Sequence, residues 1–169
     1  MERIMVIGCP GSGKSTFSRE FHKITGIPLF HLDMMYWNAD RTTVDKVIFR
    51  ERLLDTLKKS EWIIDGNYGS TIELRLKECD TVIFFDYPLE LCLEGIKERR
   101  GKARTDMPWV EAEDEEDTEF IEFVKNYNSQ SRPQVMELLD KYSCKNIIIF
   151  KKRDKAAEFL TQIKERYKQ

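Results

Sequence analysis

Residues 8–15 read Gly-Cys-Pro-Gly-Ser-Gly-Lys-Ser, and this stretch decides how the rest of the chain is interpreted. Its spacing, G-x-x-x-x-G-K-[ST], is typical of a loop that cradles phosphate groups. Glycines let the backbone turn its N–H groups toward an anion, and the following helix offers its positive N-terminus to the same anion. We expect Lys14 to reach the β- and γ-phosphates of ATP, and the Ser15 hydroxyl to hold Mg²⁺.

The loop stands between a predicted strand and a predicted helix, and this alternation continues along the chain. Apolar runs suited to strands occupy 3–7, 28–32, 61–64, 81–85 and 146–150, and helical patterns separate them. Strands that are apolar along their whole length belong in a parallel sheet that is covered on both faces. The sequence therefore predicts a three-layer α/β/α fold with five parallel strands.

Two local patterns make finer predictions about the helices. Ser70-Thr71-Ile72-Glu73 has the S-x-x-E form of a capping box, which predicts a short helix that starts there. After the polar segment that follows residue 100, two helical stretches are expected. One carries Phe120, Val124 and Tyr127, and the other carries Val135, Leu138 and Tyr142.

Length and charge restrict the function. The chain has 169 residues, so we expect a single domain over 1–169. It carries 28 Lys and Arg against 30 Asp and Glu, a net charge of -2, which does not favour direct binding to nucleic acid. There is no apolar run of the ~18 residues that a membrane helix needs, no signal-peptide layout, and no zinc spacing among four scattered cysteines. We expect a cytoplasmic monomer or weak dimer with reduced thiols.

Aspartates stand at the ends of three predicted strands. Asp33, Asp65 and Asp86 lie at the edge of the sheet where ligands bind in wound α/β folds. An acid there can orient a hydroxyl, take its proton or hold a water on Mg²⁺; the alternative is that each aspartate caps the next turn. Tyr36 and Trp37 follow Asp33, and they either stack on a planar substrate or cover the sheet.

A polar insertion follows the helix after the fourth strand. Residues 101–119 have no apolar period, and seven of the nine residues 111–119 are acidic. Arginines stabilise the charge that spreads over a transferring phosphate. The candidates are Arg99, Arg100, Arg104 and Arg132 around this segment, together with Arg75 beyond the Asp65-Gly66-Asn67-Tyr68 turn, where an acceptor phosphate would sit.

Several motifs together resemble a known group. The stretches GCPGSGKST, HLDMMYW, WIIDGNY and ERRGKARTDM are similar to those of topology modulation proteins, which are adenylate-kinase-related P-loop proteins, and more distantly to nucleotide kinases and shikimate-type kinases. The resemblance implies a P-loop NTPase fold with strand order 2-3-1-4-5. It also implies a mobile lid over residues 99–128, called the lid segment below.

The resemblance assigns roles to matching positions. It places the ATP phosphates on Gly11, Ser12, Gly13, Lys14, Ser15 and Thr16, with Arg99 as a further phosphate contact, and it matches Asp33 and Asp65 to acids on the acceptor side. To these matched positions we add Gly8 as an ATP contact and, for the acceptor, Tyr36, Trp37, Gly66, Asn67, Tyr68 and Arg75. Two departures speak against AMP as the acceptor. Gly95 stands where nucleotide kinases carry an adenine-packing arginine, and the turn after Asp65 lacks their phosphate-gripping arginine, which Arg75 would have to replace.

These observations favour an Mg-ATP-dependent kinase that acts on a nucleotide, a nucleoside or another small acceptor. Its catalytic residues would be Lys14, Asp33, Arg99 and Arg132, with Mg²⁺ on Ser15. Two alternatives stay open: a regulatory ATP-binding protein that affects DNA topology through a partner, and a nucleotidase that uses water as the acceptor. An acid at Asp33 that faces an acceptor pocket favours the kinase.

Overall fold

A five-stranded sheet forms the centre of the molecule. The computed structural model describes residues 1–102, 104–109 and 117–168. The strands are Arg3–Gly8 (β1), Leu29–His31 (β2), Trp62–Asp65 (β3), Thr81–Phe85 (β4) and Asn146–Phe150 (β5). All neighbouring strands pair in parallel, in the order β2-β3-β1-β4-β5. The predicted fold class and strand order are confirmed.

Helices cover both faces of this sheet. They are Lys14–Thr25 (α1), Leu32–Tyr36 (α2), Lys46–Leu57 (α3), Gly69–Glu78 (α4), Leu89–Arg99 (α5), Thr118–Lys141 (α6) and Arg153–Tyr167 (α7). Because successive side chains of a strand point to opposite faces, β1 contributes to two cores. Ile4 and Val6 pack in one hydrophobic cluster, and Met5 and Ile7 pack in the other.

The two helical stretches predicted after the polar segment form one continuous helix. α6 runs for 24 residues, with Pro133 inside it. Its first half buries Val124 and Tyr127 in one core cluster, and its second half buries Val135 and Leu139 in the other. This change of partner along the helix breaks the apolar period that the sequence shows. Residues 118–128 of the predicted lid segment are therefore helical.

The starts of α2 and α4 also differ from the prediction. β2 ends at His31, and Asp33 lies in the first turn of α2 rather than directly after a strand. α4 begins at Gly69, after Tyr68, whose φ of 44° is left-handed, so Ser70 is not its N-cap. As a result, the polar side chains of Asp33 and Tyr68 lie at the carboxyl edge of the sheet. Among the described helices, none has the length and apolar character needed to cross a bilayer.

Candidate active site

The phosphate loop joins the end of β1 to the start of α1. Gly11 and Gly13 have left-handed φ values of 82° and 87°, which side chains with a Cβ rarely adopt. The backbone N–H of Ser12 donates to the carbonyl of Cys9 at 3.2 Å, and Lys14 Nζ donates to the same carbonyl at 3.1 Å. The loop thus closes on itself, with the N-terminus of α1 directed at the space above it.

Helix α5 packs against the backbone of this loop. A Cβ on Gly11 would collide with the carbonyl oxygen of Cys92, and a Cβ on Gly95 would collide with the carbonyl oxygen of Gly11. No larger side chain fits at either position without moving the helix. The glycine that replaces the adenine-packing arginine of nucleotide kinases is therefore required by packing in this chain.

Asp33 stands across the cleft from the phosphate loop and is held by Tyr68. The Tyr68 hydroxyl donates to Asp33 Oδ1 at 2.6 Å, and Trp37 lines the same cleft. Burial raises the pKa of Asp33, the hydrogen bond from Tyr68 opposes this rise, and the nearby charge of Asp65 adds to it. A carboxylate with a raised pKa is a better proton acceptor, so Asp33 is suited to general-base chemistry.

Asp65 is held by a histidine that the sequence analysis did not single out. His31 Nδ1 lies 2.9 Å from Asp65 Oδ2, while Asp65 Oδ1 is buried without a hydrogen-bond partner among the described residues. Asp65 is 4% exposed. It therefore fixes the ends of β2 and β3 together, and its place as an acceptor contact stays a prediction.

Arg75, one of the residues predicted to bind the acceptor, holds a turn of the backbone. Arg75 is fully buried and donates to the backbone carbonyls of Thr71, Gly66 and Asn67. Burial lowers the pKa of this guanidinium, and the charge of Asp65 opposes that effect. Arg75 therefore holds the turn after β3 and does not line the cleft, so this placement does not support the predicted contact with an acceptor phosphate, which stays a prediction.

Asn67 connects the same turn to the phosphate loop. Its side-chain amide accepts from the Gly8 N–H at 3.0 Å and donates to the Gly8 carbonyl at 2.6 Å. The N–H of Gly8 is thereby used within the protein, and Gly8 does not line the cleft. The Asn67 amide keeps a second N–H and lines the cleft, so its predicted contact with the substrate stays a prediction.

Aromatic side chains form one wall of the cleft around Asp33. Tyr36 packs edge-on against Phe49 and Tyr68, with ring centroids 5.2 and 5.1 Å apart. Trp37 meets Trp109 of the lid segment edge-on at 5.2 Å. Tyr36 thus supports the wall from behind, as in the alternative that it covers the sheet, whereas Trp37 faces the cleft.

Arg99 and Arg132, both predicted to be catalytic, lie in different parts of the structure. Arg99 packs over the ring of Phe120, with its guanidinium carbon 5.3 Å from the centroid. Arg132 lies elsewhere, because α6 crosses the end of β4 and brings it to Asp86. Its Nε and Nη2 donate to the two oxygens of that carboxylate at 2.6 and 2.8 Å. Neither Arg132 nor Asp86 therefore takes the functional place considered for it.

A cleft of about 1060 Å³ brings the remaining residues together. Its lining includes Gly11, Ser12, Gly13, Lys14, Ser15, Thr16, Asp33, Trp37, Asp65, Gly66, Asn67, Tyr68, Arg99, Arg100 and Arg104. Of the predicted site residues, Gly8, Tyr36, Arg75 and Arg132 are not part of this lining. The phosphate loop and Asp33 thus share one cavity, although Ser15 and Asp33 are 18 positions apart in the sequence.

Sequence reasoning missed several cleft residues, three of which carry polar or aromatic groups near the phosphate loop or Trp37. Arg19 of α1, Asp106 and Trp109 all line the cavity. Arg19 reads as an ordinary exposed helix residue, and Asp106 and Trp109 lie in a segment without apolar period. The only available signal is the motif ERRGKARTDM, which contains Asp106 but does not reveal its partners.

Comparisons with known proteins agree with this architecture. No family model matches the chain. Curated relatives include two shikimate kinases from Clostridium botulinum, strains Loch Maree / Type A3 and 657 / Type Ba4. They are 28% and 29% identical over 137 residues, which cover 72% of this chain and 77% of each relative.

Solved structures show the same fold. Shikimate kinase from Bacteroides thetaiotaomicron superposes with a TM-score of 0.60 at 16% identity, and the match covers 99% of both chains. Shikimate kinase from Acinetobacter baumannii in complex with shikimate gives 0.59 at 18% identity, over 98% of this chain and 94% of that one. The resemblance to topology modulation proteins stays a prediction. The chain has the P-loop kinase fold, and the similarity to curated kinases confirms the predicted enzyme class, an ATP-dependent kinase whose acceptor is left unspecified.

Proposed function

We propose that this protein transfers the γ-phosphate of Mg-ATP to a hydroxyl group of a small, hydroxylated, shikimate-like acceptor. The observation that carries the proposal is the position of Asp33. Its carboxylate lines the same cleft as the phosphate loop and is held there by the Tyr68 hydroxyl at 2.6 Å. An acid placed opposite a phosphate loop serves the group that receives the phosphate.

The reaction follows from this arrangement. The acceptor oxygen forms a bond to the γ-phosphorus while the bond from that phosphorus to the β–γ bridging oxygen breaks, which leaves ADP. The hydroxyl proton passes to Asp33, whose raised pKa suits it to accept that proton. Lys14 and the loop N–H groups stabilise the charge on the phosphate oxygens, and Arg99 and Arg104 are the lid-segment cations that line the same cavity.

The residues around Ser15 suit the magnesium ion that ATP brings. Ser15 and Asp106 line the same cleft, so oxygen atoms, the ligands that Mg²⁺ prefers, are present at this end of the loop. Among the described residues no cluster of three His, Cys, Asp or Glu side chains suits a metal by itself. Mg²⁺ keeps phosphate and water ligands and needs no such cluster. When bound, it neutralises charge on the β- and γ-phosphates.

The acceptor side argues against a nucleotide. Arg75 was the cation expected to grip an acceptor phosphate, and it is buried behind the turn. Asp33 and Tyr68 instead present hydrogen-bonding groups beside the indole of Trp37, which suits a ring that carries hydroxyl groups. The kinship with shikimate kinases supports the same class of acceptor.

An acceptor screen tests the proposal. Purified protein with Mg-ATP is offered shikimate, other cyclic and linear hydroxy acids, nucleosides and nucleotides, and ADP formation and phosphorylated product are measured together. We expect ADP formation that depends on one hydroxylated compound, with the matching product seen by mass spectrometry and lost in Lys14→Ala. ADP formation without any acceptor would identify a nucleotidase. ATP binding with no turnover on the whole panel would favour the regulatory alternative.

A further inference from the structure

Asp106 is a buried acid in the lid segment, and two arginines surround it. The side chain of Asp106 is 2% exposed. Arg104 Nη2 donates to Oδ2 at 2.5 Å, and Arg104 Nε donates to Oδ1 at 3.2 Å. Arg19 Nη1, from α1, donates to Oδ1 at 3.3 Å. One carboxylate therefore joins an arginine of the lid segment to an arginine of the helix that follows the phosphate loop.

The same network reaches the end of the phosphate loop. Arg19 Nη2 donates to Thr16 Oγ1 at 3.1 Å, and Asp106 and Ser15 line the same cleft. The lid segment is thus connected through Arg19 to the residue that follows Ser15. Ser15 is the residue expected to hold Mg²⁺, so the contact lies at the metal end of the loop.

In this network the negative charge of Asp106 lies between the positive charges of Arg19 and Arg104. Burial would raise the pKa of Asp106, but the hydrogen bonds and charge of Arg104, with the Ser15 hydroxyl, lower it below the usual range. The carboxylate is therefore ionised at neutral pH. Removing one partner from a buried charge cluster leaves the others uncompensated, so neutralising Asp106 leaves Arg19 and Arg104 to repel each other.

We propose that Asp106 is a positioning residue that fixes Arg104, and with it the lid segment, at the Ser15 end of the phosphate loop. Arg104 lines the cleft, and a guanidinium in that position is directed to the transferring phosphate only while its other side is held. Asp106 supplies that hold from within the lid segment, and Arg19 of α1 holds Asp106 in turn. The consequence for catalysis rests on the proposed function, whereas the anchoring of the lid segment does not.

The first test uses Asp106→Asn, which keeps the shape of the side chain and removes its charge. The matched control is Asp117→Asn, because Asp117 is an exposed acid that caps α6 through the Phe120 N–H, and asparagine caps equally well. We expect backbone amides of residues 104–109 to exchange roughly 10-fold faster in Asp106→Asn. Its tryptophan emission should shift to the red as Trp109 leaves Trp37. Unchanged exchange and emission would overturn the proposal.

The second test separates positioning from general stabilisation. With the acceptor found by the screen, Asp106→Asn should lower kcat by roughly 10- to 100-fold, because a misplaced phosphate contact acts mainly on the transition state, with KM for ATP within about threefold. In a double-mutant cycle with Arg104→Met, the double variant should be no slower than the slower single variant. Additive losses would show that Asp106 does not act through Arg104 and would overturn the proposal.

Variants of Arg19, the partner of Asp106 in α1, keep the proposal testable even if Asp106→Asn does not fold. Arg19→Met removes the partner in α1 and leaves the lid segment unaltered, whereas Arg19→Lys keeps its charge. We expect faster exchange of residues 104–109 in Arg19→Met and partial recovery in Arg19→Lys; equal exchange in wild type and both variants would contradict the anchor. If no acceptor supports turnover in the wild type, the proposed function fails, and these exchange measurements still decide the anchor.

Discussion

The two sides of the cleft are built in different ways. The donor side is one continuous stretch, Gly11–Thr16, whose backbone N–H groups and lysine suffice to surround phosphates. The acceptor side is assembled from separate elements: Asp33 from α2, Tyr68 from the turn before α4, and Trp109 from the lid segment. A continuous loop can be recognised in the sequence and altered at one point. An assembled pocket depends on side chains that hold one another, so changes there spread to their neighbours.

The largest effect is expected on the donor side, at Lys14. Lys14→Ala removes the charge that reaches the transferring phosphate and should cost about 2–4 kcal/mol of transition-state stabilisation. Turnover with the screened acceptor and affinity for a non-hydrolysable ATP analogue measure the loss. Lys23→Ala is the control, because Lys23 is an exposed lysine of the same helix, paired only with Glu20 among its described contacts. Unchanged ATP binding and turnover in Lys14→Ala would remove the lysine from the site.

The acceptor side should show its largest effect at Asp33. Asp33→Asn keeps the size and the capping ability of the side chain but cannot accept a proton, so kcat should fall by ~10²-fold or more. The affinity for the ATP analogue should stay within about threefold of wild type, because the donor side is untouched.

Asp45→Asn provides a matched control, since Asp45 caps α3 outside the cleft and asparagine retains that role. A normal rate for Asp33→Asn would show that Asp33 only caps α2. A large loss of ATP affinity would move Asp33 to the donor side and break the distinction between the two regions.

A structural effect is expected at Arg75, which supports the acceptor side from below. Arg75→Met leaves the carbonyls of Gly66 and Asn67 buried without donors, so the free energy of unfolding should fall by about 2 kcal/mol. Urea denaturation measures this change, and Arg50→Met, at an exposed position of α3, should be close to neutral. If Arg75→Met is as stable as wild type but loses acceptor affinity, the buried arginine has a binding role after all.

The smallest effect should come from Tyr68→Phe, which removes one hydrogen bond to Asp33. That hydrogen bond favours the charged carboxylate and lowers its pKa, so its loss raises the pKa further. Because Asp33 must be deprotonated to accept the proton, the acidic limb of the kcat–pH profile moves to higher pH. On the plateau, kcat should remain within about threefold of wild type. A shift of the limb to lower pH would contradict the assigned role of the hydroxyl.

The sequence predicts the parts of the molecule that are locally determined. The spacing of residues 8–15 identifies the phosphate loop, and the apolar runs locate all five strands. The strand order came from the family resemblance, because no local pattern states which strands are neighbours. Arg75 and Arg132 show the limit of reasoning from residue type. An arginine near a site reads as a ligand for phosphate, but its partners here are backbone carbonyls in one case and Asp86 in the other.

Asp106 is the opposite case, a residue whose place in the cleft the sequence did not indicate. It belongs to a polar stretch in which an acid usually faces solvent, yet with Arg19 of α1 and Arg104 as its partners it is one of the most buried charged residues among those described. Only the folded arrangement brings Arg19 and Ser15 to it. The aromatic wall is similar, since Trp37 and Trp109 are 72 positions apart in the sequence.

The long helix α6 has a consequence for how the protein unfolds. Its two halves are embedded in the cores on opposite faces of the sheet, through Val124 and Tyr127 on one side and Val135 and Leu139 on the other. Loss of this helix would expose both cores at once, so the two faces are coupled into one cooperative unit. The lid segment runs directly into that helix at Thr118. A destabilising change in either half of α6 is therefore expected to weaken the packing on both faces of the sheet.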